Sequence, residues 1–430
     1  MTNYPESCTT TKNIIDTYRQ LYHPLDHAVN WEQWIKDYEK RVQTQEPIKK
    51  QEQLSGVEVR EILDGLKESS YQEASTTAFI ADYLLSLGFI FKSREGKILK
   101  NETELVFASS TDEPKVYFRV DLDAVSVGEG KYQHSCGHNV NMSSVLQVAK
   151  RIKEDKLNIG LVFQPAEEGP GNTIDGYVQP EGLGGGQYLR KKGVYERVHT
   201  LISCHIDTSL KNNEVRISPG SATAAAYRFI YRVLGKPAHA ALPWQGENPI
   251  EKITDFLTNL KTIFKDLPQE EYGLVTPSKI STAECELNSL SPWAEVRGIS
   301  RNSGLTSLKL FEDFMKKYGA EIELEAPPVI NDLKLVDIAT NVAKEKGFNC
   351  ITAPARFRDE TAWAGPFIKP WVKYPEKYRP GCSRILHFFT PACNSDTGGL
   401  HSMSFIPNYE KAIKAQVELL HGIAVKLAGS

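Results

Sequence analysis

The amino-acid sequence predicts an α/β protein in which a small α+β domain is inserted into a larger domain built on a mixed sheet. Three observations support this prediction. The 430 residues exceed what one hydrophobic core usually encloses. Short apolar runs alternate with amphipathic segments up to about residue 212, an order typical of a sheet covered by helices. The pattern then changes, and it resumes only after Pro327-Pro328.

The larger domain begins with residues 51–212, where strand and helix patterns alternate. Apolar runs typical of buried strands lie at Val116–Val120, Ile159–Phe163 and Val198–Cys204. Apolar residues recur at helical spacing in the segments 76–87, 143–153 and 188–192. This alternation predicts a mixed or parallel sheet with helices packed on it.

The inserted domain is predicted to comprise residues 213–326. Its segments, in chain order, are strand 228–234, helix 249–264, strands 279–287 and 293–300, helix 305–318 and strand 320–324. This β-α-β-β-α-β order is the split arrangement of a ferredoxin-like domain. Residues 327–430 then complete the larger domain, and residues 1–50 form a helical extension to which we assign no chemistry.

The composition excludes several classes of function. Fifty-one basic and fifty-four acidic side chains give a net charge of -3, so no positive field attracts nucleic acid or anionic lipid. No apolar run reaches the roughly 18–20 residues that a membrane span needs. The seven cysteines are too dispersed for a disulfide scaffold, and the N-terminus lacks the pattern of a secretory signal. We therefore expect a cytoplasmic protein that acts on a small molecule, with neither nucleic acid nor membrane as a partner.

The first candidate site is the sequence His134-Ser135-Cys136-Gly137-His138. Cysteine and histidine are the ligands that zinc and similar divalent cations prefer. If this segment is a loop at the start of helix 143–153, Cys136 and His138 reach one small volume. The alternative is a buried cysteine beside a surface histidine.

Two adjacent glutamates, Glu167 and Glu168, follow the apolar run Ile159–Phe163. In open α/β sheets, ligands bind at the carboxyl ends of the strands. One of these carboxylates could bind a metal while the other transfers protons, as a metal-activated water requires. The alternative is ordinary surface charge.

Two further histidines complete a set of metal-compatible side chains. His205 ends the third apolar run, and His401 precedes the last helical segment. A thiolate of Cys136 that bridges two metals would give each metal three protein ligands and an open position. The number of candidate ligands therefore favours a two-metal site. A structural zinc would instead have all its coordination positions filled by four protein ligands.

Two other features lie near these candidates. Asp121 and Asp123 follow the first apolar run, where they could orient a ligating histidine or simply form a turn with a helix cap. The glycine-rich stretch 182–186 lacks the Lys-Ser/Thr of a phosphate loop. It is more typical of a closely packed helix start than of a nucleotide site.

Taken in order, these motifs resemble those of the metal-dependent amidohydrolase family that includes hippurate hydrolase, the indole-acetyl-amino-acid hydrolases and N-acetyl-diaminopimelate deacetylase. This family lies within the aminoacylase/carboxypeptidase group of metallopeptidases. The likeness runs from about Ser69 to the C-terminus, and Asn288 and Arg301 fall where the family has a lid motif. The resemblance rests on the motifs Asp121-Leu122-Asp123-Ala124, His134–His138, Gln164–Glu168, Gly235–Pro243, Pro327–Asp332 and Leu400-His401-Ser402.

The resemblance implies a metallo-exopeptidase-like catalytic domain with an inserted lid, and hydrolysis of the amide bond of an N-acyl amino acid or short peptide. Two divalent ions (Zn, Mn or Co) would be held by Cys136, His138, Glu168, His205 and His401. The resemblance also gives Glu167 the role of proton carrier, and His239 that of polarising the scissile carbonyl. It implies substrate binding by Asn288 and Arg301, and it leaves open a homodimer through the lid.

The sequence departs from the family pattern in three places. After His138 the family continues with Asp-Gly-His-Thr, whereas this chain has Asn139-Val140-Asn141-Met142, which removes a carboxylate that could support a metal ligand. Pro237 and Ala238 replace two glycines before His239. The segments 170–182 and 363–384 are longer than in the family. Two alternatives therefore stay open: a binding or scaffold protein without turnover, and a dipeptidase or carboxypeptidase.

Overall fold

The computed structural model describes residues 6–21, 51, 53–92, 105–169, 182–268, 271–356, 358–366, 379–392, 400–402 and 404–428. Most of the predicted extension 1–50 lies outside these residues, as do nearly all of segment 170–182 and much of segment 363–384. Among the described residues, no helix has the length and apolar character of a membrane span.

The helices and strands follow the predicted alternation. The helices are α1 (Glu6–Leu21), α2 (Gly56–Leu66), α3 (Ala74–Ser86), α4 (His138–Glu154), α5 (Gly185–Lys192), α6 (Pro249–Leu260), α7 (Leu305–Tyr318), α8 (Leu333–Glu345) and α9 (Tyr409–Ala428). The strands are β1 (Ile90–Phe91), β2 (Leu105–Ala108), β3 (Val116–Asp121), β4 (Val125–Ser126), β5 (Tyr132–Gln133), β6 (Ile159–Gln164), β7 (Thr200–Asp207), β8 (Glu214–Arg216), β9 (Gly220–Ser221), β10 (Ala225–Leu234), β11 (Gly273–Thr282), β12 (Trp293–Asn302), β13 (Glu321–Ala326), β14 (Ile330–Asn331), β15 (Asn349–Ile351) and β16 (Arg384–Pro391).

The larger sheet is mixed, as predicted, with the strand order β1-β2-β6-β3-β7-β16-β8-β15. Its central strands β6, β3, β7 and β16 are parallel, whereas β2 and β8 pair antiparallel with their neighbours β6 and β16. Alternate residues of the central strands enter two separate buried clusters: Phe118 lies in one cluster and Tyr117 in the other. Helices therefore cover both faces, which explains why these strands read as continuous apolar runs.

The smaller sheet is formed by residues 225–326 and has the order β11-β12-β10-β13, with every pairing antiparallel. Helix α6 packs its buried Phe256 against Phe229 of β10, and helix α7 packs Phe311 against Tyr227 of the same strand. This arrangement confirms the inserted ferredoxin-like domain. Strand β11 begins earlier than predicted because a bulge between Pro277 and Lys279 interrupts its sequence pattern. The boundaries of the four chain segments stay a prediction.

The parallel strands bring the predicted site to one edge of the larger sheet. Strands β3, β6, β7 and β16 all end at this edge, with Asp121, Gln164, Asp207 and Pro391 as their last residues. The motifs that follow β3, β6 and β16, and the histidine near the end of β7, therefore meet although they are far apart in sequence.

Helix α5 supports the turn that carries the two glutamates. Its first residue, Gly185, donates a backbone hydrogen bond of 3.0 Å to the carbonyl of Ala166. A Cβ atom at Gly185 would lie 1.6 Å from the carbonyl oxygen of Pro165, so only glycine fits there. This is the closely packed helix start that the glycine-rich sequence predicts.

We expect Gly185→Ala to lower the free energy of unfolding by roughly 1–3 kcal/mol, because the added methyl group displaces the Pro165–Glu168 turn. Urea unfolding measures this change. The matched control is Gly365→Ala, whose Cβ would meet only the end of the Ile385 side chain, at 2.9 Å. Equal losses for the two variants would contradict the prediction.

Candidate metal centre

The start of helix α4 positions Cys136 and His138. Gly137 has φ 90°, a conformation that favours glycine, and a Cβ there would lie 2.1 Å from Cδ1 of Ile206. The chain thus turns sharply between the two side chains. The helix begins at His138, five residues before its predicted start, so this histidine is held by regular structure.

The five predicted ligands converge. Three groups of donor atoms lie within 4.8 Å of one another: Cys136 with His138 and His205, Cys136 with Glu168 and His401, and His138 with Glu167 and Glu168. Sγ of Cys136 lies 3.4 Å from Nε2 of His205 and 3.3 Å from Nε2 of His401. The thiol is therefore shared between two groups, the position that the sequence predicts for a bridging ligand.

Two buried atoms in this cluster fit a cation. Nδ1 of His138 contacts the carbonyl oxygen of Asp123 at 2.7 Å, so this nitrogen donates its proton there and Nε2 is the ring atom left to face a cation. Within the described part of the chain, neither Nε2 of His138 nor Oε1 of Glu168 has a hydrogen-bond partner. These two atoms are 3.8 Å apart, and a cation would satisfy both.

The electrostatics of the cluster also favour a cation. Burial raises the pKa of the Cys136 thiol well above its ordinary value. Burial and the neighbouring Glu167 raise the pKa of Glu168 to about 8, and burial lowers the pKa of His205 to about 4. His205 is thus already in the neutral form that binds metals, whereas the thiolate of Cys136 and the carboxylate of Glu168 are stable only when positive charge is close.

Two residues of the site have backbone conformations that side chains other than glycine seldom adopt. Ala166 has φ 49° and His401 has φ 65°. A hydrogen bond of 2.9 Å from the amide of Ala166 to Glu73 holds the first, and one from the amide of His401 to the carbonyl of Ser135, also 2.9 Å, holds the second. Such strain persists only where the surrounding structure enforces it, and here it directs Glu167, Glu168 and His401 to the cluster.

The two aspartates have different surroundings. The carboxylate of Asp123 accepts hydrogen bonds from the amides of Glu167 (3.0 Å) and Glu168 (3.1 Å), while its carbonyl oxygen orients the His138 ring. The carboxylate of Asp121 instead pairs with Arg119, two residues earlier on the same face of β3.

A cavity of about 390 Å³ opens beside the cluster. It is lined by Cys136, Glu167, Glu168, His205, Arg301, Arg356, Arg358, Asp359, Phe389, Leu400 and His401. Arg301, predicted on the inserted domain, thus lines this cavity. The other two residues predicted on the inserted domain, His239 and Asn288, are exposed and lie outside this lining.

Comparison with known proteins agrees with this geometry. A family model described as peptidase family M20/M25/M40 matches residues 117–360, which include most of the cluster and the whole smaller sheet. The chain belongs to this family.

Two curated relatives are similar to this chain at low sequence identity. An N-acetyldiaminopimelate deacetylase of Listeria monocytogenes is 26% identical over 247 residues, 54% of this chain and 62% of the relative. An N-acetyl-L-cysteine deacetylase of Bacillus subtilis is 28% identical over 246 residues, 54% of this chain and 55% of the relative. The similarity to these curated relatives thus spans about three fifths of their length.

The fold of this M20/M25/M40 chain is seen in solved structures. A Bacillus subtilis protein, described as a dinuclear metal-binding peptidase from the M20 family, superposes with a TM-score of 0.64 at 18% identity. The match covers 87% of this chain and 98% of that one. It supports the larger mixed sheet with an inserted domain.

A buried charge network beneath the cluster was not predicted from the sequence. The guanidinium of Arg119 pairs with Asp121 and, through Nη1 at 3.2 Å, with Asp359. Nε2 of His387 lies 3.4 Å from Asp359, and its Nδ1 is 2.5 Å from the hydroxyl of Ser203. Burial opposes the ionisation of Asp359, but His387 and Arg119 outweigh it and lower its pKa. A sequence signal for Arg119 existed, since an arginine interrupts the apolar run Val116–Val120.

We expect Arg119→Met to lower the free energy of unfolding by about 3–5 kcal/mol, because it leaves two carboxylates buried without their cation. Adding Asp121→Asn should recover part of this loss, as urea unfolding of the double variant would show. The control is Lys426→Met, which removes an exposed ion pair of 3.0 Å with Glu345 and should cost less than about 1 kcal/mol. Similar losses in the two single variants would refute the assigned role of Arg119.

Proposed function

We propose that this protein is a metal-dependent amidohydrolase that cleaves the amide bond of an N-acyl amino acid. The observation that carries the proposal is the convergence of five metal-compatible side chains with Glu167 beside an open cavity. Two of the similar proteins are a deacetylase of N-acetyldiaminopimelate and one of N-acetyl-L-cysteine. Both substrates are acylated amino acids, which agrees with the chemistry of the cluster.

The donor set suits two divalent cations such as Zn, Mn or Co, with Cys136 between them. The other ligands would be His138, Glu168, His205 and His401, and the similar Bacillus subtilis structure is described as dinuclear. When bound, two such cations would lower the pKa of a water molecule toward about 7 and stabilise negative charge on the amide oxygen.

Glu167 is the group that would move the proton. Its Oε2 lies 3.8 Å from Nε2 of His138, and its side chain lines the cavity next to the ligand Glu168. Its carboxylate would accept the proton released by the attacking water and return it to the nitrogen of the leaving amino acid. The amide hydrogen bond to Asp123 holds Glu167 in this position.

The geometry favours an active enzyme over a scaffold that has lost turnover. Asp123 and Ile206 supply the carbonyl oxygens that orient the rings of His138 and His205, at 2.7 and 2.8 Å. Asn139, which replaces the family's aspartate, instead donates to Asp64 at 3.3 Å. The change after His138 therefore leaves the supports of these two ligands in place.

We expect Glu167→Gln to reduce kcat by roughly 10²–10⁴-fold on N-acetyl amino acids while both metals stay bound, because only the proton carrier is lost. The neighbouring variant Glu168→Gln is the matched comparison, since it removes a ligand and should lower metal content. Metal analysis and single-turnover kinetics measure the two effects. Unchanged turnover in Glu167→Gln would exclude the proposed role.

The inserted domain supplies Arg301 to the cavity and carries the exposed His239 and Asn288. His239 can polarise the amide carbonyl, and Asn288 can bind substrate, only if this domain closes over the cavity. The alternative is that a second copy of the chain contributes its own His239 and Asn288. We include closure of the inserted domain in the proposal.

Closure should lower the radius of gyration when an N-acyl amino acid is added to metal-loaded Glu167→Gln protein, as measured by small-angle scattering. Free acetate, which lacks the amino-acid portion, is the control. An unchanged radius at saturation, with a constant monomer mass, would argue against closure, and a doubled mass would indicate the second copy.

A further inference from the structure

Three arginines line one cavity, although the substrate proposed above needs only one. Arg301 comes from strand β12 of the inserted domain, whereas Arg356 and Arg358 come from the segment that follows β15 of the larger domain. A carboxylate is satisfied by one bidentate guanidinium, so a single free carboxyl group does not account for all three.

Two of the acidic residues that line the cavity have partners other than these arginines. Asp359 pairs with the buried Arg119 at 3.2 Å, and Glu168 belongs to the donor cluster with His138 and His401. Glu168 therefore faces the cations of the proposed function. With divalent cations bound there, the positive charge of Arg356 stays available to a ligand.

Arg356 is the arginine whose position is most informative. It is exposed, and among the described residues no carboxylate lies within ion-pair distance of it. Its guanidinium carbon lies 5.5 Å from the ring centroid of Tyr272, whose hydroxyl donates a hydrogen bond of 2.5 Å to the carbonyl of Ala355. The segment that carries Arg356 is therefore fixed while the charged group faces the cavity.

Arg301 and Arg358 line the same cavity and carry like charges, which repel each other. Burial lowers the pKa of Arg301, Glu325 opposes this shift, and the positive charge of Arg358 adds to it. Nη1 of Arg301 lies 3.8 Å from Glu325, but that carboxylate also pairs with Arg228 at 2.6 Å. An anion between the arginines would relieve this repulsion.

We propose that the cavity binds a substrate with two carboxylates: Arg301 takes the carboxylate next to the scissile amide, and Arg356 with Arg358 takes a second one. The inference rests on the proposed function and specifies its substrate class. The second carboxylate belongs either to the amino-acid side chain, as in N-acetylglutamate, or to the acyl group, as in N-succinylmethionine.

The test compares pairs of substrates that differ in one charge. N-acetylglutamate is compared with N-acetylglutamine, and N-succinylmethionine with N-acetylmethionine, as kcat/KM of the metal-loaded enzyme. The dicarboxylate of at least one pair should be preferred, and Arg356→Gln should reduce that preference by roughly 10–100-fold. Which pair responds identifies the source of the second carboxylate.

The matched control is Arg232→Gln. Arg232 is also exposed and lies 5.5 Å from an aromatic centroid, that of Trp293, but it does not line the cavity. This variant should keep the wild-type preference. If neither pair shows a preference in the wild type, or if Arg356→Gln leaves the preference unchanged, the inference is wrong while the proposed function stands.

Calorimetry separates the inference from the proposed function. Metal-loaded Glu167→Gln protein should bind the preferred dicarboxylate roughly 10–100-fold more tightly than its neutral partner, and adding Arg356→Gln should remove this difference. If no N-acyl amino acid is hydrolysed, the proposed function fails. The binding ratio then decides alone whether the cavity is a dicarboxylate site.

Discussion

The buried carboxylate of Asp123 is the interaction on which the arrangement of the site depends. It accepts the amides of Glu167 and Glu168 and the hydroxyl of Ser70, while the carbonyl oxygen of the same residue fixes the ring of His138. Chain segments from α4 and from the ends of β3 and β6 thus share one anchor. Because these hydrogen bonds are buried, the loss of any one partner would leave a polar group with neither water nor a hydrogen bond. Few arrangements of these residues therefore satisfy every group.

The charge network around Arg119 fixes the strand that precedes Asp123. Arg119 lies inside the central strand β3, and its pairs with Asp121 and Asp359 join that strand to the segment after β15. A buried pair of this kind contributes little net stability, but it is costly to break. It therefore fixes Asp359, which lines the cavity, relative to strand β3.

The sequence predicted this cluster of donor atoms because its signal is local. Glu168 and His205 lie at the ends of apolar strands, where polar side chains are unusual, and Cys136 is two residues from His138 in one short motif. Arg356 and Arg358 carried no such signal, since they follow the short and partly exposed strand β15 and read as surface charge. The first turn of α4 was missed because the buried Asn139 and Asn141 hide the apolar periodicity, and the hydrogen bond that Gln416 donates to Asn141 comes from a distant part of the chain.

The distribution of the arginines links substrate binding to the position of the inserted domain. Arg301 lies on that domain, and Tyr272, also on it, holds the segment of Arg356 through the carbonyl of Ala355. A ligand with two carboxylates would contact both domains and would gain its full set of charged contacts only when they come together. A ligand with one carboxylate would leave like charges facing each other in the same closed state. The proposed anion requirement and the proposed closure would therefore depend on the same contacts, so discrimination between substrates would increase as the cavity closes.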